Sequence, residues 1–172
     1  MPVEKEKLTL RKGKLPSKIR EELVDYVRRA YGEDVASQIP HKLRYVCFEP
    51  DFCLIYAPIG LGEERLTLIY EGAWIATYTR GLVVPSIPFS SRVFSVKGPV
   101  AAIEVSEQGV KAFLYGNDIL PISVIRVIPP RLGVYAVIDS TDGAVIGFAK
   151  WNNTKAVYEN VYDAGVFLRK LG

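Results

Sequence analysis

Lys111-Ala112-Phe113-Leu114-Tyr115-Gly116-Asn117-Asp118-Ile119-Leu120 reads as the end of a short helix, a glycine-centred turn and the start of an extended run. Ser106 is placed to cap the helix, because its hydroxyl can accept from an otherwise unpaired N–H of the first turn. Val110, Phe113 and Leu114 recur at helical spacing and face a core. Gly116 stands where a helix C-terminus favours positive φ, and Asn117 is the next most tolerant residue type.

Outward from this stretch, the chain changes texture at Lys97-Gly98-Pro99, which marks a boundary between residues 1–97 and 98–172. Beyond it, Val100–Val105, Val124–Ile128, Tyr135–Asp139 and Ala144–Trp151 are apolar runs separated by turn residues. Ser140-Thr141-Asp142-Gly143 carries hairpin chemistry. The pattern predicts a small mixed-connection barrel with one inserted helix, and a final short helix from about Asp163.

In the first half, Leu8–Leu10 reads as a short edge strand ended by Gly13 and Pro16. Ser17 is placed to cap a helix over 18–31, whose apolar face is Ile19, Leu23, Tyr26, Val27 and Ala30. A helical turn is expected over Glu33–Gln38. Residues 43–48 and 52–57 form a hairpin about Glu49-Pro50-Asp51. A three-residue loop pairs Phe48 with Phe52 and Cys47 with Cys53, within reach of a disulfide. A two-residue loop puts the cysteines on opposite faces. Both readings stay open, with reduced core cysteines the ordinary finding in an intracellular protein. Leu66–Tyr70 and Ala73–Thr79 read as strands, Ile59–Glu64 as a loop, and residues 82–94 as either strand or irregular chain.

The 172 residues are 49% hydrophobic, with 24% charged, and include eleven prolines and fourteen glycines. That composition supports a core and favours many short elements over a helix bundle. Net charge is +3, but Lys5–Arg20 holds seven basic residues, Lys12, Lys14 and Lys18 among them, against Glu6 alone. Such a window can neutralise phosphates, although a solvated edge is the simpler reading. Residues 98–172 carry seven Lys/Arg and seven Asp/Glu. No apolar run approaches the ~20 residues that span a bilayer. No secretory pattern opens the chain, so a cytoplasmic protein without membrane contact is expected.

Catalytic signatures are missing. The one histidine, His41, follows Pro40 at a loop junction. There is no nucleophile elbow, no phosphate-cradling loop and no four-ligand zinc set. A non-enzymatic protein without cofactor or metal is expected.

The order strand, helix, Phe113-Leu-Tyr-Gly-Asn117, strands and Gly147-Phe-Ala149 resembles the PUA domain. Phe113–Asn117 and the ending Asp163-Ala-Gly-Val-Phe-Leu-Arg169 resemble most closely the archaeal-type members of the ribosome-biogenesis family called nuclear import protein seven. That family joins a pre-PUA domain to a C-terminal PUA domain. Tyr45–Phe48 with Leu54–Tyr56, and Gly72–Tyr78, are similar to its N-terminal strands. The resemblance implies an α+β fold: an N-terminal antiparallel sheet with one main helix, then a PUA-type β-barrel with short helices. It also implies a monomeric RNA-binding factor in large-subunit maturation, with an rRNA precursor and ribosome-assembly or RNA-processing proteins as partners.

Lys155, Lys150, Arg169 and Lys170 are then the candidate phosphate contacts. The main chain at Gly116 and Asn117 is a close-approach point, and Trp151 and Tyr158 are candidate stacking aromatics. Where archaeal relatives carry further basic residues, Ala156, Glu159 and Tyr162 stand here. Leu120-Pro121-Ile122-Ser123 replaces the wider family's Pro-Gly. The thinned charge motivates a second reading, a protein-docking adaptor with a structural PUA domain. An RNA-modification-associated protein is the third.

Overall fold

The computed structural model describes residues 11–58, 73–166 and 169. The strand expected at Leu8–Leu10, the loop Ile59–Glu64 and the strand Leu66–Tyr70 lie outside them. Among the described residues the fold is α+β, with two sheets of five strands each.

The first sheet is antiparallel, ordered β1 (Arg11–Lys14), β2 (Arg44–Glu49), β3 (Phe52–Ala57), β4 (Ala73–Thr79) and β5 (Leu82–Pro85). β1 runs through Gly13, which was expected to end a strand. Helix α1 spans Ser17–Tyr31 and buries Leu23, Tyr26, Val27, Ala30 and Tyr31. Pro16, not Ser17, stands at its N-cap, and among the described residues no side chain caps it. The short helix α2 covers Glu33–Ala36.

The undecided stretch resolves into β5 and helix α3 (Ile87–Lys97). Ser86 Oγ accepts from Phe89 N at 3.2 Å and donates to Trp74 O at 2.7 Å. A capping serine with Pro88 in the first turn is a helix start, since proline lacks only an N–H that the first turn leaves unpaired anyway.

The central hairpin turns on Pro50-Asp51, with Glu49 opposite Phe52, yet Cys47 still faces Cys53. Phe48 is the extra residue of a bulge. The short loop would have slipped the register by one, and the bulge restores it. A disulfide joins Cys47 to Cys53, which corrects the expectation of two reduced core cysteines. Closing so short a loop stabilises by about 2 kcal/mol in the chain-entropy view. Cys47→Ser/Cys53→Ser, or reductant on the native protein, is expected to lower Tm by about 4–8 °C, read by calorimetry with and without reductant. An unchanged Tm would show that the bridge restrains nothing.

The second sheet is mixed, ordered β10 (Val157–Asp163), β9 (Val145–Asn152), β8 (Val134–Asp139), β6 (Ala102–Val105) and β7 (Val124–Ile128), with β6 and β8 parallel. Ile119, ahead of β7, exchanges two backbone hydrogen bonds with Tyr158 of β10, so the chain leading to one end of the sheet order meets the strand at the other end. Helix α4 spans Glu107–Leu114, and Phe113 is fully buried beneath it. β10 runs to Asp163, so the helical turn expected from that residue begins after it; Val166 and Arg169 have helical backbone.

One hydrophobic cluster draws on both sheets. It joins Val27, Ile55 and Val84 to Ala136, Phe148 and Tyr162. Phe148 and Tyr162 stack with ring centres 5.9 Å apart, and Trp74 lies 6.2 Å from Tyr162. Burial would leave polar tips unpaired, so two tyrosine hydroxyls reach across: Tyr162 donates to Pro85 O at 3.0 Å and Tyr26 to Val134 O at 3.1 Å. A second cluster lies inside the barrel, around Ile103, Phe113, Val137 and Ile146.

Candidate nucleic-acid interface

Helix α4 ends in a Schellman arrangement. Gly116 has φ 90°; its N–H donates to Phe113 O at 2.9 Å, and Asn117 N–H donates to Ala112 O at 3.1 Å. Both residues are exposed. The main-chain donors that the sequence offered to a ligand are therefore already engaged by the helix end. Gly116 has a further reason to be glycine: a Cβ there would lie 3.1 Å from Arg169 Nη2.

Arg169 is held in place by three hydrogen bonds to two residues. Its guanidinium donates to Leu114 O at 2.6 Å and to both oxygens of Asp163, at 3.1 and 2.7 Å. Hydrogen bonding to Asp163 raises its pKa above the ordinary arginine range. Asp163, fully buried, also accepts from Gly165 N and from Asn160 Nδ2. Arg169 thus ties the end of β10 to α4, and most of its charge is answered internally. Lys170 lies outside the described residues.

The β9–β10 hairpin carries the other candidates. Lys150 is exposed and stands opposite Glu159 in the register. Lys155, in the turn, is exposed and its Nζ lies 3.3 Å from Glu159 Oε1. Asn152 Nδ2 donates to the same carboxylate at 2.8 Å. The Asn152 amide first, and Lys155 second, hold the Glu159 pKa below the usual range. A depressed pKa means that this pairing is present at neutral pH and is lost as pH falls through the folded value.

Trp151 faces Tyr158 across the hairpin, ring centres 4.7 Å apart, and its Nε1 donates to Asn153 Oδ1 at 2.6 Å. Tyr158 in turn meets Tyr135 edge-on at 5.9 Å. Both rings are half-buried against the barrel core. Tyr162 is buried in the cluster shared by the two sheets.

Three residues at the site were not picked out from sequence. Tyr115 is 78% exposed and offers an aromatic face beside Gly116. Asn160 is buried; its Nδ2 donates to Phe113 O at 2.9 Å and its backbone N to Asp118 Oδ1 at 2.9 Å, which pins the loop to β10. Arg80, in the β4–β5 turn, donates from Nη1 to Asn160 O at 3.0 Å. Tyr115 is legible as an aromatic just past a helix end; the other two depend on contacts remote in sequence.

Lys12 and Lys14 are exposed on β1, at the sheet edge opposite β5, and Lys18 is exposed in the first turn of α1. Four strand spacings separate β1 from β5, roughly 19 Å, so these lysines and the Arg80 turn lie at opposite edges of the sheet. Lysine on an edge strand also discourages pairing with another chain. Among the described residues, no His, Cys, Asp and Glu group of three or more could hold a metal. No described helix is long and apolar enough to cross a membrane.

Residues 101–172 match the family model described as the UPF0113 PUA domain. No curated protein matches the chain. Among solved structures, a hypothetical protein of the hyperthermophilic archaeon Pyrococcus horikoshii is similar at 14% identity and TM-score 0.60, over 81% of each chain. A PUA domain protein of Aeropyrum pernix, solved with tartrate, is 16% identical with TM-score 0.54, over 95% of this chain and 91% of that one. A conserved PUA domain protein of Thermoplasma acidophilum is 17% identical with TM-score 0.50, over 92% and 85%. The second half of the chain therefore has a PUA-type fold, and the likeness to the two PUA proteins extends over nearly the whole chain.

Proposed function

We propose that the protein is a non-enzymatic RNA-binding factor that takes single-stranded, U-rich rRNA through its C-terminal half during large-subunit maturation, in the manner of the nuclear import protein seven family. The match of residues 101–172 to a PUA model carries this reading. The division into 1–97 and 98–172, a monomeric state, a cytoplasmic location and ribosome-assembly or RNA-processing partners belong to the same proposal. Lys150 and Lys155 supply phosphate contacts and Tyr115 the stacking face, while Trp151 shapes the hairpin. The exposed Leu120, Ile122 and Ile125 favour a second reading, a docking adaptor, because a run of apolar side chains in water suits a protein partner.

Titration of a U-rich oligonucleotide with salt separates the two. Log K is expected to fall with log salt by roughly 0.7 for each phosphate contacted. Lys150→Ala and Lys155→Ala should each make that slope shallower. Absence of binding at low salt would overturn the RNA reading in favour of docking. Glu159→Gln is expected to tighten binding severalfold, since it removes a carboxylate and releases Lys155 while keeping an acceptor for Asn152. Equal affinity for Glu159→Gln and wild type would show that Lys155 takes no part.

A further inference from the structure

Two recesses, each of about 110 Å³, lie along the seam between the sheets. One is bordered by Gly116, Asp51 and Arg169, the other by Lys150 and Glu159, and both share Arg80 and Asn160. The recesses therefore form one groove that leads from the glycine loop to the β9–β10 hairpin. Among the described residues, Arg80 is its only contribution of positive charge from the first sheet.

The charges along the groove differ in availability. Arg169 and Asp163 neutralise one another. Glu159 is engaged by Asn152 and Lys155. Arg80 and Lys150 have no carboxylate within 4.0 Å among the described residues. Arg80 uses Nη1 on Asn160 O, and that one bond orients the guanidinium while its other donors remain for a ligand.

Arg80 also occupies a position that favours other residues. Thr79 pairs with Leu82 across a two-residue turn in which Arg80 has φ 52° and Gly81 φ 75°. Positive φ at both positions defines a type I′ turn, where Asn or Gly is least strained at the first. A long cationic side chain held in that conformation, at the mouth of a groove, points to a ligand.

We infer that one backbone phosphate of the bound single strand sits in this seam on Arg80 and Lys150, so that the first half of the chain takes part in holding RNA. This rests on the RNA-binding reading above and adds a residue from outside the matched region. Asp51 at the other end of the groove restricts the site to a single phosphate rather than a run of them.

The test compares wild type, Arg80→Asn and Arg80→Lys by fluorescence anisotropy with a labelled U-rich oligonucleotide over a range of salt, with Tm measured for each. Arg80→Asn suits the turn better, so its Tm is expected to equal or exceed that of wild type. Its affinity at low salt is expected to fall about tenfold, with a slope shallower by about 0.7. Arg80→Lys should keep the wild-type slope at an intermediate affinity, because it keeps the charge and loses the fork. If wild type binds and Arg80→Asn matches its affinity and slope, the inference fails while the RNA reading stands. If both variants lose affinity and Tm alike, Arg80 acts only through Asn160, and the inference again fails. If wild type does not bind, both proposals fall.

Discussion

Gly147→Ala is expected to destabilise the protein by about 3 kcal/mol or more, a large share of the stability of an ordinary domain. A Cβ at this position would lie 2.3 Å from Tyr162 O, 2.8 Å from Asp163 Cα and 2.8 Å from Phe113 Cε1. Two of those atoms are backbone of the paired strand β10, and the third belongs to a ring with no exposed surface. None can rotate away, unlike a flexible side-chain end. Overpacking alone costs about 1–3 kcal/mol in a close-packed interior, and the φ of 154° adds strain for any residue with a side chain. β9 and β10 must part for the methyl to fit, which opens the stack of Phe148 on Tyr162. Denaturant unfolding of Gly147→Ala beside wild type measures the effect; a loss under about 1 kcal/mol would mean that the strands separate far more easily than their packing implies.

Asp163→Ala is the second large effect, at about 3 kcal/mol. The carboxylate is fully buried and accepts from Arg169, Asn160 and Gly165. Truncation breaks the ion pair with Arg169, takes one acceptor from the Asn160 amide, which keeps Phe113 O, and leaves the half-buried Gly165 N–H without its carboxylate. A hydrogen bond to a charged group contributes about 1.5–3 kcal/mol. Arg169 is partly exposed and regains water, which lowers the total. The Tm is expected to drop by about 6–12 °C. Arg169→Ala should also lower Tm, by less. Arg169 was expected from sequence to contact phosphate, and its part in the clamp means that any loss of RNA affinity in Arg169→Ala must be read beside its loss of stability. A wild-type Tm for Asp163→Ala would show that the clamp adds nothing to stability.

Several parts of the fold were legible because their causes are local. The stop at Gly116 follows from positive φ, and the Ser106 cap from one hydroxyl and one N–H. The central hairpin follows from alternating β-branched and aromatic residues about Pro50-Asp51. Other parts depend on pairings that periodicity does not encode. Val157–Asp163 carries apolar residues at spacings that suit either period, and pairing with β9 decides for strand. α3 hides because its buried face holds the polar Ser90 beside Val93 while the apolar Val96 is 81% exposed, so apolar residues do not mark the face. Loop length at Pro50 and the bulge at Phe48 compensate one another, which no count of residues between the cysteines reveals. At the candidate site, Lys150 and Lys155 were legible as exposed cations on a hairpin. The engagement of Lys155 by Glu159, the clamp on Arg169 and the place of Arg80 arise from residues up to eighty positions apart.

Tyr162 meets Trp74 of the first sheet, Phe148 belongs to the same shared cluster, and two tyrosine hydroxyls are bonded across the division. A fragment cut at Gly98 would carry a bare greasy wall where Trp74 and Val84 had lain. Either piece alone is expected to clump during expression, and mixing the two should rescue solubility. Such a module cannot be swapped between proteins like a bead on a string; it travels with its neighbour.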